Sequence, residues 1–135
     1  MEEKILYHFI IIDDSKLDCF IGEKIIAGTG ACASFTVFMD ANEALSFLEN
    51  RAIDQYRTIV LLDIQMPLMT GFEFIEKFEA MLSEEQQENY VVNLLSSSIN
   101  QEDMARAQSY KSVHSFLNKP LNKDRLLEMI TDLSK

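Results

Sequence analysis

The sequence predicts an alternating α/β fold with one parallel sheet covered by helices on both faces, and three observations support this. Short, unbroken, largely β-branched apolar runs recur along the chain, and between them lie longer segments whose apolar residues repeat at helical spacing. The connections are too long for hairpins, so each crossover has to travel back along the sheet. The first run stops at Asp13-Asp14 and the third at Asp63, which puts carboxylates at strand ends.

Residues 5–12 are rich in isoleucine, show no helical stripe and stop at two aspartates, as a strand buried on both faces does. From Ser15 onward Leu17, Phe20, Ile21 and Ile25 recur at helical spacing, and the pattern dies in Gly28-Thr29-Gly30. Residues 34–39 read as a short second strand, and Ala41, Ala44, Leu45 and Leu48 form the stripe of a second helix capped near Asp40. The third strand, residues 58–62, ends on Asp63 ahead of a turn holding Pro67 and Gly71. Phe74, Ile75, Phe78, Met81 and Leu82 make a third helical stripe, followed by a polar loop at 83–89 and a fourth strand at 90–95. Met104, Ala105, Ala107 and Gln108 mark a more polar helix, residues 113–117 a last short strand, and Leu126, Leu127, Ile130 and Leu133 a closing amphipathic helix. Five strands thus alternate with five helices. In open sheets of this doubly wound kind, ligands sit beyond the carboxyl ends of the strands where strand order reverses, and the flavodoxin-like order is one common solution.

Composition narrows the function classes. A chain of 135 residues with 47% hydrophobic content fills one core and is too short for two ordinary domains, so a single domain over 1–135 is expected. The initial Met1 and the short ends favour a complete product with no output domain. Twelve Lys and Arg against twenty-two Asp and Glu give a net charge of −10, which repels a nucleic-acid backbone and an anionic membrane surface alike. Cys19 and Cys32 lack CxxC spacing and companion histidines, so neither a zinc site nor a disulfide framework is expected, and a reducing cytoplasm fits best. The first apolar run follows an acidic Met1-Glu2-Glu3 and is interrupted by His8, unlike a signal peptide. It is also far shorter than the roughly 20 residues of a membrane helix.

The chemistry sits at the strand ends. If the first and third strands are neighbours, Asp13, Asp14 and Asp63 converge on one small volume. Like charges that close are unstable alone, and a hard divalent cation such as Mg²⁺ resolves the repulsion by taking a few carboxylate oxygens and keeping waters or phosphate elsewhere. The plainer reading is that adjacent aspartates cap the first helix. Ser96, Ser97 and Ser98 follow the fourth strand, and Lys119-Pro120 follows the fifth. A lone lysine there would be a solvated surface group and lone serines a turn. Together with three carboxylates they form the electrostatic arrangement that phosphoryl transfer needs, with one carboxylate as nucleophile.

At these positions the sequence resembles a family. Ile10-Ile11-Ile12-Asp13-Asp14, then Leu61-Leu62-Asp63-Ile64-Gln65-Met66-Pro67-Leu68-Met69-Thr70-Gly71, then Leu95-Ser96, and finally Phe116-Leu117-Asn118-Lys119-Pro120 match the signature of response regulator receiver domains in order and spacing. The resemblance covers essentially the whole chain and looks like a chemotaxis-regulator-like, stand-alone receiver of two-component signal transduction. It implies a flavodoxin-like (βα)5 fold with strand order 2-1-3-4-5. It implies that Asp63 is the phosphoacceptor, taking its phosphoryl group from a histidine kinase or a histidine phosphotransfer protein. Asp13, Asp14 and Asp63 would hold Mg²⁺ with the Gln65 backbone carbonyl as a further ligand, and Lys119 would pair with phosphoryl oxygens. Ser96 and Phe116 would form the switch, the hydroxyl moving toward the phosphoryl group and the ring following, so that the surface around the Met104–Gln108 helix and the last strand repacks for a downstream protein. Homodimerisation on phosphorylation through that face stays open. Gln65 and Ser98, two residues beyond Asp63 and Ser96, are expected to modulate dephosphorylation.

Lys119 precedes a proline, which keeps it extended, and the resemblance implies a cis bond there. Gly71 is expected to close the loop after Asp63 in a conformation other residues resist, as a structural glycine. His8 and His114 read as satisfied core or edge histidines, and 84–88 as a solvated acidic loop. Two other functions compete. A haloacid dehalogenase-like phosphohydrolase would place its nucleophile after the first strand with a second aspartate two residues on, whereas Asp13 is followed by Asp14-Ser15-Lys16 and no cap domain is present. A pseudo-receiver binding module would keep the fold and lose the acceptor chemistry, against which the complete acidic pair, acceptor, hydroxyl and lysine argue. The domain is expected to catalyse its own phosphorylation and dephosphorylation only, and is not otherwise an enzyme.

Overall fold

Burial on two faces is what turns the apolar runs into strands, because each run can feed a helix layer on either side of a sheet. The computed structural model describes residues 5–98 and 100–133, so the acidic start Met1-Glu2-Glu3 lies outside the described residues. Along the chain come β1 (Tyr7–Ile12), α1 (Lys16–Thr29), β2 (Cys32–Phe38), α2 (Ala41–Glu49), β3 (Thr58–Asp63) and α3 (Gly71–Met81). They are followed by α4 (Glu84–Gln87), β4 (Tyr90–Ser96), α5 (Gln101–Gln108), β5 (Val113–Asn118) and α6 (Lys123–Leu133). Among the described residues one five-stranded sheet forms, in the order β2-β1-β3-β4-β5, with every neighbouring pair parallel. The reversal of strand order falls between β1 and β3.

Alternation along each strand divides the core into two layers. Ile10, Ile12, Val60, Leu62 and Leu94 pack on Ala44 and Leu48 of α2, Phe74 and Phe78 of α3, and Ala107 of α5. Phe9, Ile11, Ile59, Leu61 and Leu95 pack on Cys19 and Ile26 of α1 and on Leu126 and Met129 of α6. Asn93 is a fully buried polar group in central β4; its carboxamide oxygen accepts from the Ser115 hydroxyl and its nitrogen donates to the Val91 carbonyl at 3.1 Å. Both hydrogen bonds offset a desolvation cost that an unpaired amide would carry.

Three details differ from the sequence reading. The stripe of α1 is rotated: Cys19, Gly22 and Ile26 face the sheet, while Leu17 and Phe20 are 67% and 58% exposed. The rotation has a steric cause, since a Cβ at Gly22 would stand 2.5 Å from Ile11 Cδ1, so the helix lies close on β1 through its smallest residue. The stretch read as a polar loop at 83–89 holds the single-turn helix α4, giving six helices among the described residues instead of five. A capping box makes it: the Ser83 hydroxyl accepts from the Gln86 N–H at 3.1 Å, and the Gln86 side chain accepts from the Ser83 N–H at 2.8 Å. Finally, β2 begins at Cys32 and β1 at Tyr7, because the Tyr7 N–H donates to Ala31 and an irregularity follows between Tyr7 and His8.

Gly71 is needed for space, not for an unusual backbone angle; among the described glycines only Gly30, at the α1 terminus, has positive φ. A Cβ at Gly71 would lie 2.9 Å from both the Asp63 carbonyl oxygen and Ile64 Cα, which are backbone atoms with no freedom to step aside. Gly71→Ala is therefore expected to lower the free energy of unfolding by about 1–3 kcal/mol, the usual cost of overpacking. Urea unfolding checks this, and an unchanged midpoint would mean that the loop yields freely.

Candidate functional site

Strand register delivers the polar groups to one rim. Ile12 is paired with Leu62 and Asp63 with Leu95, so Asp13 and Asp63 emerge side by side at the carboxyl ends of neighbouring strands. Ser96 is paired with Asn118, which brings Lys119 to the same rim. Backbone bonds fix the exits: the Asp13 N–H donates to Phe38 at 3.0 Å, Ile64 to Leu95 at 3.0 Å, and Lys119 to Ser96 at 2.8 Å. The Lys119-Pro120 peptide bond is cis.

Asp13, Asp14 and Asp63 each offer an oxygen within 4.8 Å of the others. Asp13 and Asp63 are 1% and 5% exposed, while Asp14 faces solvent. Neither member of the acidic pair is the N-cap of α1; that is Ser15, whose hydroxyl accepts from the Asp18 N–H at 3.2 Å. Asp13 Oδ1 accepts from the Ser15 N–H at 2.9 Å. Its Oδ2 is buried and lies 2.8 Å from Lys119 Nζ, yet it receives no aligned hydrogen bond. A buried carboxylate oxygen with spare acceptor capacity, beside two more carboxylates, is a donor set of hard oxygens and fits Mg²⁺.

Lys119 is the counter-charge. Its ammonium sits 2.8 Å from Asp13 Oδ2, 2.9 Å from Asp18 Oδ2 and 3.5 Å from Asp63 Oδ1. Burial alone would lower its pKa, but the close carboxylates of Asp13, then Asp18, outweigh that and raise it, so the lysine stays charged. The Asp63 carboxyl is pushed up to about 6, first by burial and then by the charge of Asp13, against the opposing pull of Lys119 and the Gln65 N–H at 3.1 Å. Burial, and then Asp13 and Asp18, push the Cys19 thiol up to about 11, which leaves it a packed, protonated group.

The other sequence-derived candidates fall into place unevenly. Ser96 is buried on the rim, with its hydroxyl committed locally: it donates to the Ser98 carbonyl and accepts from the Ser98 N–H, both at 3.1 Å. Phe116 is half-buried on β5, against the layer that contains α3 and α5. Gln65 and Ser98 are exposed. His8 lies at the opposite end of β1, held by the Ser34 hydroxyl and by Asp54 at 2.8 Å, and His114 is exposed on the edge strand. Asp18 was missed. Its only sequence signal is its spacing, four residues after Asp14 and three after Ser15, which reads equally well as helix-start chemistry.

The raised Asp63 pKa makes a stability prediction for the metal-free protein. Below about pH 3.8 the carboxyl is protonated in both folded and unfolded chains; between there and about 6 the folded chain keeps a proton the unfolded chain has lost. Stability contributed by this group therefore falls as pH rises through that window. Asp63→Asn is expected to be more stable than wild type at pH 7 without metal, by up to about 3 kcal/mol at 1.36 kcal/mol per unit. The gap should close as pH falls from 6 to 4, and Mg²⁺ should narrow it by stabilising wild type. A pH-independent gap in chemical unfolding would refute the assignment.

Comparison with known proteins agrees with this geometry. The family model for the response regulator receiver domain matches residues 9–131. A response regulator receiver protein from Dyadobacter fermentans is 32% identical with a TM-score of 0.85, the match covering 93% of this chain and 96% of that one. A two-component response regulator from Cytophaga hutchinsonii is 26% identical, also at 0.85, over 97% and 99%. The fold is shared with the CheX-CheY-BeF3-Mg²⁺ complex from Borrelia burgdorferi, at 22% identity and a TM-score of 0.77 over 97% and 91%. No curated protein sequence matches the chain. The match of the family model over nearly the whole chain, on a sheet whose strand ends carry this acidic pocket, means that the chain belongs to the response regulator receiver domain family.

Proposed function

We propose that this receiver domain accepts a phosphoryl group on Asp63, with Mg²⁺ held by Asp13, Asp14, Asp63 and the Gln65 backbone carbonyl, and so switches a protein-binding surface. The observation that carries the reading is the convergence of Asp13, Asp14 and Asp63 within 4.8 Å, with Lys119 against them. Mg²⁺ supplies charge neutralisation for the incoming phosphoryl oxygens. The residues of the chain do the rest. An Asp63 oxygen forms the new bond to phosphorus as the bond from phosphorus to the donor's leaving group breaks. Lys119 turns to the added charge, and the Ser96 hydroxyl leaves the Ser98 carbonyl to donate to a phosphoryl oxygen. Phe116 then moves inward, and the face made by α5 and β5 repacks. The donor is a histidine kinase or a histidine phosphotransfer protein, and the readout is a downstream protein. The Borrelia burgdorferi neighbour is a CheX-CheY-BeF3-Mg²⁺ complex, a composition consistent with this reading. No helix among the described residues is long and apolar enough to cross a membrane.

Incubation with Mg²⁺ and acetyl phosphate is expected to add one phosphate-sized mass increment to wild type, and none to Asp63→Asn or to wild type with chelator. No increment in folded wild type would favour a pseudo-receiver instead. Gln65 and Ser98 are exposed two residues beyond Asp63 and Ser96, where they would flank the path of water to the phosphorus atom. Gln65→Ala and Ser98→Ala should each change the half-life of the acyl phosphate severalfold while leaving phosphorylation intact. Unchanged half-lives in both would remove these two from the path of water.

A further inference from the structure

Lys119 touches three carboxylates but makes one aligned hydrogen bond, and that bond goes to Asp18 instead of the acceptor. We infer that Asp18 is a restraining partner of Lys119, a positioning residue that holds the ammonium 2.9 Å from its own carboxylate and 3.5 Å from Asp63 Oδ1, so that a phosphoryl group has to win the lysine from it. The inference rests on Asp63 being the phosphoacceptor.

Four observations carry it. The carboxylates that can share a cation are Asp13, Asp14 and Asp63, so a metal ion answers the charge of Asp13 and leaves Asp18 as the rival claimant on Lys119. Asp18 is anchored, because its N–H donates to the Ser15 hydroxyl at the start of α1. Its side chain is 35% exposed, so water replaces the lysine there at low cost, whereas the Asp13 side chain, at 1%, has no such recourse. Lys119 is itself 13% exposed, which confines its choice of partners to the carboxylates around it and to whatever is bonded to Asp63. Asp18 therefore sets how readily Lys119 turns to the phosphoryl group, without touching that group.

The test uses beryllofluoride with Mg²⁺ as the phosphoryl analogue, titrated calorimetrically. Asp18→Asn should tighten its binding about fivefold, the size expected for a part-exposed ion pair. It should speed phosphorylation by acetyl phosphate in proportion, and Asp18→Glu should return both toward wild type. In a Lys119→Gln background the substitution should give no gain, since its effect passes through the lysine. If that background binds too weakly to measure, salt decides: loss of the 2.9 Å contact keeps most of its ratio at 0.5 M NaCl, whereas loss of repulsion over a longer distance is screened, the Debye length there lying between about 3 and 8 Å. No change or weaker binding in Asp18→Asn, an equal gain in both backgrounds, or a gain abolished by salt would overturn the inference. Wild type that takes neither phosphate nor the analogue would instead overturn the phosphoacceptor reading.

Discussion

Three aspartates gather around one ammonium with a fourth, Asp14, beside two of them, and the rest of the structure is arranged so that this repulsive assembly can exist. Asp13 and Asp63 are almost completely buried, and burying carboxylates is costly unless each oxygen finds a donor or a cation. The parallel sheet supplies the solution. Its strands all end on the same rim, so a lysine after the edge strand reaches aspartates that follow two strands nearer the centre. Those strands are apolar on both faces, which anchors the rim firmly enough to hold like charges together. The raised Asp63 pKa is what burial, and then repulsion from Asp13, leave after the opposing pull of Lys119.

Away from the rim, firmness declines toward the β5 side. β1, β3 and β4 are covered on both faces, whereas β5 is an edge strand and Phe116 on it is only half-buried. The adjoining α5 buries a single residue, Ala107, in the core. Polar and aromatic contacts do much of the remaining work: the Arg106 guanidinium lies 4.5 Å from the Phe72 ring centroid, and the Tyr110 hydroxyl donates to Glu76 at 3.2 Å. Such contacts are exposed, each worth on the order of 1 kcal/mol. A helix held this way shifts more cheaply than α2 or α3, whose stripes are locked into the sheet.

The sequence makes legible whatever depends on patterning. Two-sided burial writes unbroken runs such as Ile10-Ile11-Ile12 and Val60-Leu61-Leu62, and from these the strands, their parallel pairing and the rim position of Asp13, Asp63, Ser96 and Lys119 all follow. It hides whatever depends on close approach. Leu17 and Phe20 look like core residues, but α1 turns them outward so that Gly22 can meet Ile11. α4 arises from reciprocal Ser83 and Gln86 hydrogen bonds that no hydrophobic period announces. Asp18 is hidden most completely, because its partner lies 101 residues along the chain and only the assembled sheet brings the two together.

A switch requires contacts that have an alternative, and under the proposed function the rim residues divide on that criterion. The Asp13 Oδ1 bond to the Ser15 N–H has no competitor and belongs to the scaffold, as do the Asn93 contacts deeper in β4. Ser96 and Lys119 each spend a hydrogen bond on a replaceable neighbour, the Ser98 carbonyl and the Asp18 carboxylate respectively. Hydrogen bonds to a charged group are worth about 1.5–3 kcal/mol each. Moving a two-state equilibrium from 1:99 to 99:1 takes about 5.5 kcal/mol. Two or three such bonds to a phosphoryl group reach that size only if the bonds given up are weaker, and both are: one is a neutral hydroxyl-to-carbonyl bond, and the other an ion pair open to water on the Asp18 side. The same rim is thus stable without the modification and able to respond to it, because its strongest interactions are kept and only its exchangeable ones change hands.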